Sequence, residues 1–205
     1  MTSLASISSK LITDVISVGP APLLKAHGFK KIARHFFRHT PMATCHLDVQ
    51  ASQWNAPDKA RFTVNLWSYL PAIAEAKGEV PIEEPAKQKH AHCGIRIGHL
   101  LPTPGDVWWC VSSPEEVPQI AAEFALAIER YAIPYLDRVA TLEGVAELSG
   151  NIPAICSDPT EFTAIALRLL GREQEATASE ALLKARAEAA RQRIQKLIAQ
   201  NAIEV

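Results

Sequence analysis

The chain has 205 residues, 48% of them hydrophobic, and its 21 lysines and arginines nearly balance its 22 acidic residues for a net charge of −1. It is long and apolar enough to bury a sizeable core, which excludes a disordered chain or a small disulfide-stapled scaffold. The near-neutral balance excludes a whole-molecule field for nucleic acid or an anionic membrane, and no apolar run approaches the roughly 18 residues of a membrane span.

In chain order, Leu11, Ile12, Val15, Ile16, Leu23 and Leu24 recur at helical spacing, so a helix is expected over about Ser8 to His27. Pro20 and Pro22 kink or restart it, and Gly28 is its stop signal. The basic, aromatic run Phe29 to Arg38 reads as an edge strand. Then Leu47, Val49 and Ala51 alternate with Asp48, Gln50 and Ser52, and Phe62, Val64 and Leu66 alternate with Thr63, Asn65 and Trp67. This period of two belongs to antiparallel strands with one covered face.

The stretch Pro71 to Lys89 is an excursion with a helical turn near Ala72 to Lys77. A fourth strand follows, with Cys93, Ile95 and Ile97 on one side and His92, Gly94, Arg96 and Gly98 on the other. Glycines flanking an arginine on a strand mark a bulge or the close approach of another group. Val107 to Val111 makes a short fifth strand.

From Ser113 the pattern turns helical. Ser113-Pro114-Glu115-Glu116 has the composition of a capping box, and Val117, Ile120, Phe124, Ile128 and Tyr131 form a buried stripe that Pro134 is expected to break. A second helix is expected over about Tyr135 to Leu148, and Asp158-Pro159-Thr160-Glu161 opens a third. The last helix, about Glu173 to Gln200, carries a narrow seam of Leu183, Ala187, Ala190, Ile194 and Leu197. The fold class is therefore α+β: a mainly antiparallel sheet of four or five strands with helices on one face over residues 1–150, then a C-terminal helical hairpin over 151–205.

Several features together resemble a bacterial family known only as domain of unknown function 4304. They are Leu23-Leu24-Lys25 leading into Gly28-Phe29-Lys30-Lys31, Val49-Gln50 with Ser52, Phe62 to Leu66, Cys93 with Ile95 to Gly98, and Asp106 before Trp108-Trp109. They span about residues 11–140. The resemblance implies an α+β domain with an antiparallel sheet, and no established activity.

If neighbouring strands pair, Arg96, Gln50, Asn65, Trp67, Ser52 and His92 gather on one sheet face. Arginine there supplies a planar fork of donors and tryptophan a stacking surface, suited to a small anionic or amide-bearing ligand or to a protein partner. The competing arrangement pairs Arg96 with Asp48 on a face that is solvated or packed under the Pro71 to Lys89 excursion. A hydrolase using the same face would take His92 as base with Asp48 orienting it, yet no nucleophile elbow or phosphate-binding glycine loop is present. The main expectation is a non-catalytic binding module without cofactor.

His90, His92, Cys93, Cys45 and His46 lack metal-ligand spacing, so no metal is expected. Lysines on an edge strand guard against mispairing, so the run at Lys30 to Arg38 is not taken as a nucleic-acid surface. The seam of the last helix points to a homodimer through the C-terminal helices. The first residues show no charged start followed by an apolar run, and Cys45, Cys93, Cys110 and Cys156 lack C-x-x-C spacing, so reduced thiols and a cytoplasmic location are expected.

Overall fold

The computed structural model describes residues 4–56, 59–82, 90–148 and 159–201. The alternating segments form a six-stranded antiparallel sheet. Five strands follow in order: β1 (Lys30–Ile32), β2 (His35–His39), β3 (Thr44–Ala51), β4 (Ala60–Tyr69) and β5 (Cys93–Arg96). A sixth, β6 (Trp109–Val111), pairs the Ala60–Phe62 end of β4, while β5 pairs its Asn65–Ser68 end. The two short strands share one side of β4, the longest strand of the sheet.

The period of two assigns the faces. Cys45, Leu47 and Val49 of β3, Phe62, Val64 and Leu66 of β4, and Cys93 and Ile95 of β5 are all buried in the main core. Two N-terminal helices, α1 (Leu4–Val18) and α2 (Pro20–Ala26), help cover that face. A short helix, α3 (Pro71–Ala76), follows β4 directly, and its Ala74 packs with Trp67 and Tyr69 at one end of the opposite face. The core is closed by α4 (Val117–Ala127) and α5 (Ile133–Arg138), then α6 (Leu142–Ala146). The last two helices are α7 (Pro159–Leu169) and α8 (Glu173–Asn201). Among the described residues, no helix is long and apolar enough to cross a membrane.

Local chemistry accounts for the places where the structure differs from the expected elements. The run Phe29 to Arg38 is a hairpin, because Ala33 takes a left-handed φ of 55° and turns the chain between β1 and β2. The strand expected to run on to Gly98 stops at Arg96 as β5, and Ile97–Leu100 coils into a 3-10 turn. Pro134 does not break the helix. A π-turn over Ile128–Ala132 widens the helix just before it, and that wider turn accommodates a residue with no N–H to donate. The box at Ser113 shifts by one residue: the Glu116 carboxylate accepts from Ser112 N–H at 2.8 Å, and Ser113 makes no side-chain cap. Asp158 lies outside the described residues.

Candidate functional site

The register that buries Leu47, Val64 and Ile95 in the main core turns their alternates onto the opposite face, where His46, Thr63, Asn65 and Trp67 are themselves buried. Asn65 stands opposite Asp48 on one side and Arg96 on the other; Trp67 stands opposite His46 and Gly94. Gln50 is opposite Thr63.

Around Arg96 these side chains form a connected network. The Asn65 amide donates to Gln50 Oε1 at 2.8 Å, and the Arg96 guanidinium donates to Asn65 Oδ1 and to Gln50 Oε1, both at 3.4 Å. Its strongest partner is Asp106, at 2.6 Å. Asp106 in turn accepts from the Trp108 indole N–H at 3.0 Å, and these two donors, the indole first, hold its carboxyl below the usual carboxylate range. The guanidinium lies 5.4 Å from the Trp108 ring centroid, and Arg61 lies over the same ring at 5.8 Å. Asp106 is more than half exposed, so the ion pair orients Arg96 more than it stabilises the fold.

A glycine makes that arrangement fit. Gly98 O accepts from Gly105 N–H at 3.0 Å, and a Cβ at position 98 would sit 2.2 Å from Gly105 O. The loop that delivers Asp106 and Trp108 therefore passes directly over Gly98, and Thr63 Oγ1 ties it to the sheet by donating to Val107 O at 2.8 Å. The close approach that the glycine signals is backbone, at Gly98.

Beside this network the face becomes aromatic. The rings of Trp67 and His46 stack 3.5 Å apart at 6°, and His46 Nδ1 lies 2.9 Å from His35 Nε2. His35 Nδ1 is 3.7 Å from Asp48. Burial first, and then His35 and His39, push the His46 pKa down to about 3. His46 Nε2 and Trp67 Nε1 are buried without a hydrogen-bond partner among the described residues.

The six residues expected to share a face thus divide. Arg96, Gln50 and Asn65 meet, and Trp67 is their neighbour along β4 but is buried. Ser52 falls just beyond β3, where its hydroxyl accepts from Trp54 N–H at 3.1 Å and it lines a hollow with Ser8, Ser9 and Arg34. His92 precedes β5 and is 3% exposed. Its Nδ1 accepts from Leu70 N–H at 3.0 Å, its ring sits against Tyr69 and Phe162, and burial pushes its pKa down to about 4.

Arg96 takes Asp106 as its partner, and Asp48 stands beside His35. Arg61, Asp106 and Trp108 complete the network without having been marked as site residues. Arg61 carried a usable signal, because it falls on the same alternation as Thr63 and Asn65. Burial pushes the Cys45 and Cys93 thiols up to about 11 and 12, which leaves them poor nucleophiles. Among the described residues no three His, Cys, Asp or Glu side chains gather as metal ligands.

A family model described as a domain of unknown function, DUF4304, matches residues 20–138, more than half the chain. The chain belongs to the DUF4304 family. The matched span runs from the start of α2 to the end of α5, so it takes in the whole sheet and the Arg96 network. No curated protein and no solved structure matches this DUF4304 chain.

Proposed function

We propose that the chain is a non-catalytic binding module that holds a small anionic or amide-bearing molecule at Arg96. The observation that carries this reading is the orientation of the guanidinium by Asp106, Asn65 and Gln50 against the Trp108 ring. A fork already held in place loses little freedom when it takes a ligand. Arg61 adds an exposed guanidinium at the same indole, beside the half-buried one of Arg96. Free Cys45, Cys93 and Cys110 support the proposed cytoplasmic location.

The test is a thermal-shift panel of small carboxylates, phosphate esters and amides on the wild type, Arg96→Ala and Arg61→Ala. A ligand at about 100 times its Kd stabilises by about 2.7 kcal/mol, which for a chain of this size raises Tm by roughly 5–10 °C. The expected result is a hit on the wild type that Arg96→Ala loses. Equal responses from wild type and Arg96→Ala across every hit would overturn the site.

The line Asp48–His35–His46 favours a second reading, a hydrolase whose base is His46. A pKa near 3 makes that imidazole a weak base at neutral pH, which is why binding is preferred. Ester or phosphoester turnover that His46→Gln abolishes would reverse the preference.

We propose in addition that α8 pairs with a second copy. Leu182, Ile194, Leu197 and Ile198 are exposed along it, and its seam has coiled-coil spacing.

A further inference from the structure

We propose that the hollow between α1, the β1–β2 turn and the β3–β4 loop binds the phosphoryl group of a small phosphate at Arg34. This site lies apart from the Arg96 network and does not depend on it.

Three segments converge there. Ser8 and Ser9 come from α1, Arg34 from the turn after β1, and Ser52, Gln53 and Asn55 from the loop after β3, around a hollow of about 290 Å³. That volume is at the small end of the range for ligand sites, which suits a compact anion and not a large cofactor. Arg34 is half-buried, and its Nη2 donates to Ser9 O at 2.9 Å and to Ser9 Oγ at 2.6 Å. Among the described residues, its Nε and Nη1 make no hydrogen bond and no carboxylate forms an ion pair with it. Burial pulls the Arg34 pKa down, with Asp48 acting the other way. A partly dehydrated guanidinium whose bonded partners are neutral keeps a charge for a ligand to meet. Asp48 alternates with Val49, which lies in the main core with Ile12 of α1, so the Asp48 carboxylate belongs to the other face of the sheet.

The backbone under these groups is held in place. Ala33 takes the left-handed turn, and Val49 N–H donates to Arg34 O at 3.1 Å. Asn55 Oδ1 accepts from Arg61 N–H at 2.7 Å and Ser52 N–H donates to Arg61 O at 2.9 Å, which pins the loop to the start of β4. The Ser9 hydroxyl accepts from Arg34 and the Ser52 hydroxyl from Trp54 N–H, so each keeps its own proton to donate. Tying the turn to α1 accounts for Nη2 of Arg34. It accounts neither for the free Nε and Nη1 donors nor for hydroxyls from a helix and a loop around the same hollow. Donors arriving from different directions match a tetrahedral oxyanion, whereas a planar carboxylate is satisfied by a guanidinium alone.

Titration calorimetry of the full chain with inorganic phosphate and glycerol phosphate, against acetate, tests this. At least one of the two phosphates is expected to bind at least about tenfold more tightly than acetate, the weight of roughly one charge-assisted contact. Tighter binding of glycerol phosphate assigns an ester as the ligand, and equal or weaker binding assigns free phosphate; both support the site. Arg34→Gln, which keeps a donor for Ser9 O, is expected to weaken phosphate binding at least about tenfold. Ser52→Asp sets a carboxylate at the hollow without removing the Arg34 contact to Ser9. It is expected to abolish binding, and it keeps the test decisive if Arg34→Gln does not fold. Arg96→Ala is expected to leave phosphate binding intact. Absence of binding by both phosphates, acetate binding as tightly as they do, unaltered binding in Arg34→Gln or Ser52→Asp, or loss of binding in Arg96→Ala would overturn the proposal.

Discussion

His46 and His92 are the imidazoles that the fold withdraws from water, and both are held neutral by burial, with pKa values near 3 and 4. An unfolded histidine titrates near 6.5, so between that pH and about 4 the unfolded chain binds more protons than the folded one. Stability then rises with pH across this window. The contribution is fully present above about 6.5 and is lost as pH falls toward 4. Urea unfolding is expected to give a flat stability between pH 7 and 8 and a steep decline from pH 6 to 4.5. His92→Asn keeps an acceptor for Leu70 N–H while removing one of the two imidazoles, so its decline over that range should be visibly shallower. An unchanged slope would show that His92 does not carry the acid sensitivity.

Elements of this chain owe their ends to single residues, and Gly98 shows the effect most directly. It lies in the 3-10 turn that follows β5 and leaves room for the loop that brings Asp106 to Arg96. Gly98→Ala forces that loop off the turn; the expected outcome is a stability loss of about 1–3 kcal/mol from overpacking together with weakened binding of any Arg96 ligand. Full binding with wild-type Tm would refute the role given to this glycine.

At α8 the charges set a sign. Lys184, Arg186, Arg191 and Arg193 flank the seam of Leu183, Ala187, Ala190, Ile194 and Leu197, so two copies bring like charges together. Salt screens that repulsion. Light scattering is expected to show a dimer whose population grows as sodium chloride rises, and a monomer at every salt concentration at high protein concentration would rule out the α8 interface.

For the whole molecule, α7 joins the hairpin to the sheet. Phe162 is buried against His92, Ala166 belongs to the main core, and the Thr163 hydroxyl reaches the Val145 and Leu148 carbonyls at 3.2 and 3.3 Å. Arg168 pairs with Glu173 and Glu180 to lock α8 onto α7. Phe162→Ala is expected to cost about 3–5 kcal/mol, as for a buried aromatic, and to raise the His92 pKa by admitting water. NMR titration of the ring reads the second effect, and an unmoved His92 would mean that other side chains keep it dry.

Alternation in three segments settled, from sequence alone, which side chains of β3, β4 and β5 face the core, because the period of two is a property of each strand by itself. Pro20 and Gly28 likewise marked helix ends through local backbone preference. The partner of each outward side chain depends instead on where loops return. Arg96 meets Asp106 only because the chain folds back over Gly98, and Thr63 meets Val107 across 44 residues. His92 sits beside a strand whose alternation points it outward, yet Tyr69 on the sheet and Phe162 from a helix seventy residues on enclose it. Such long-range closure leaves no periodic trace in the sequence, so the tertiary structure alone decided which polar residues joined the Arg96 network and which became core.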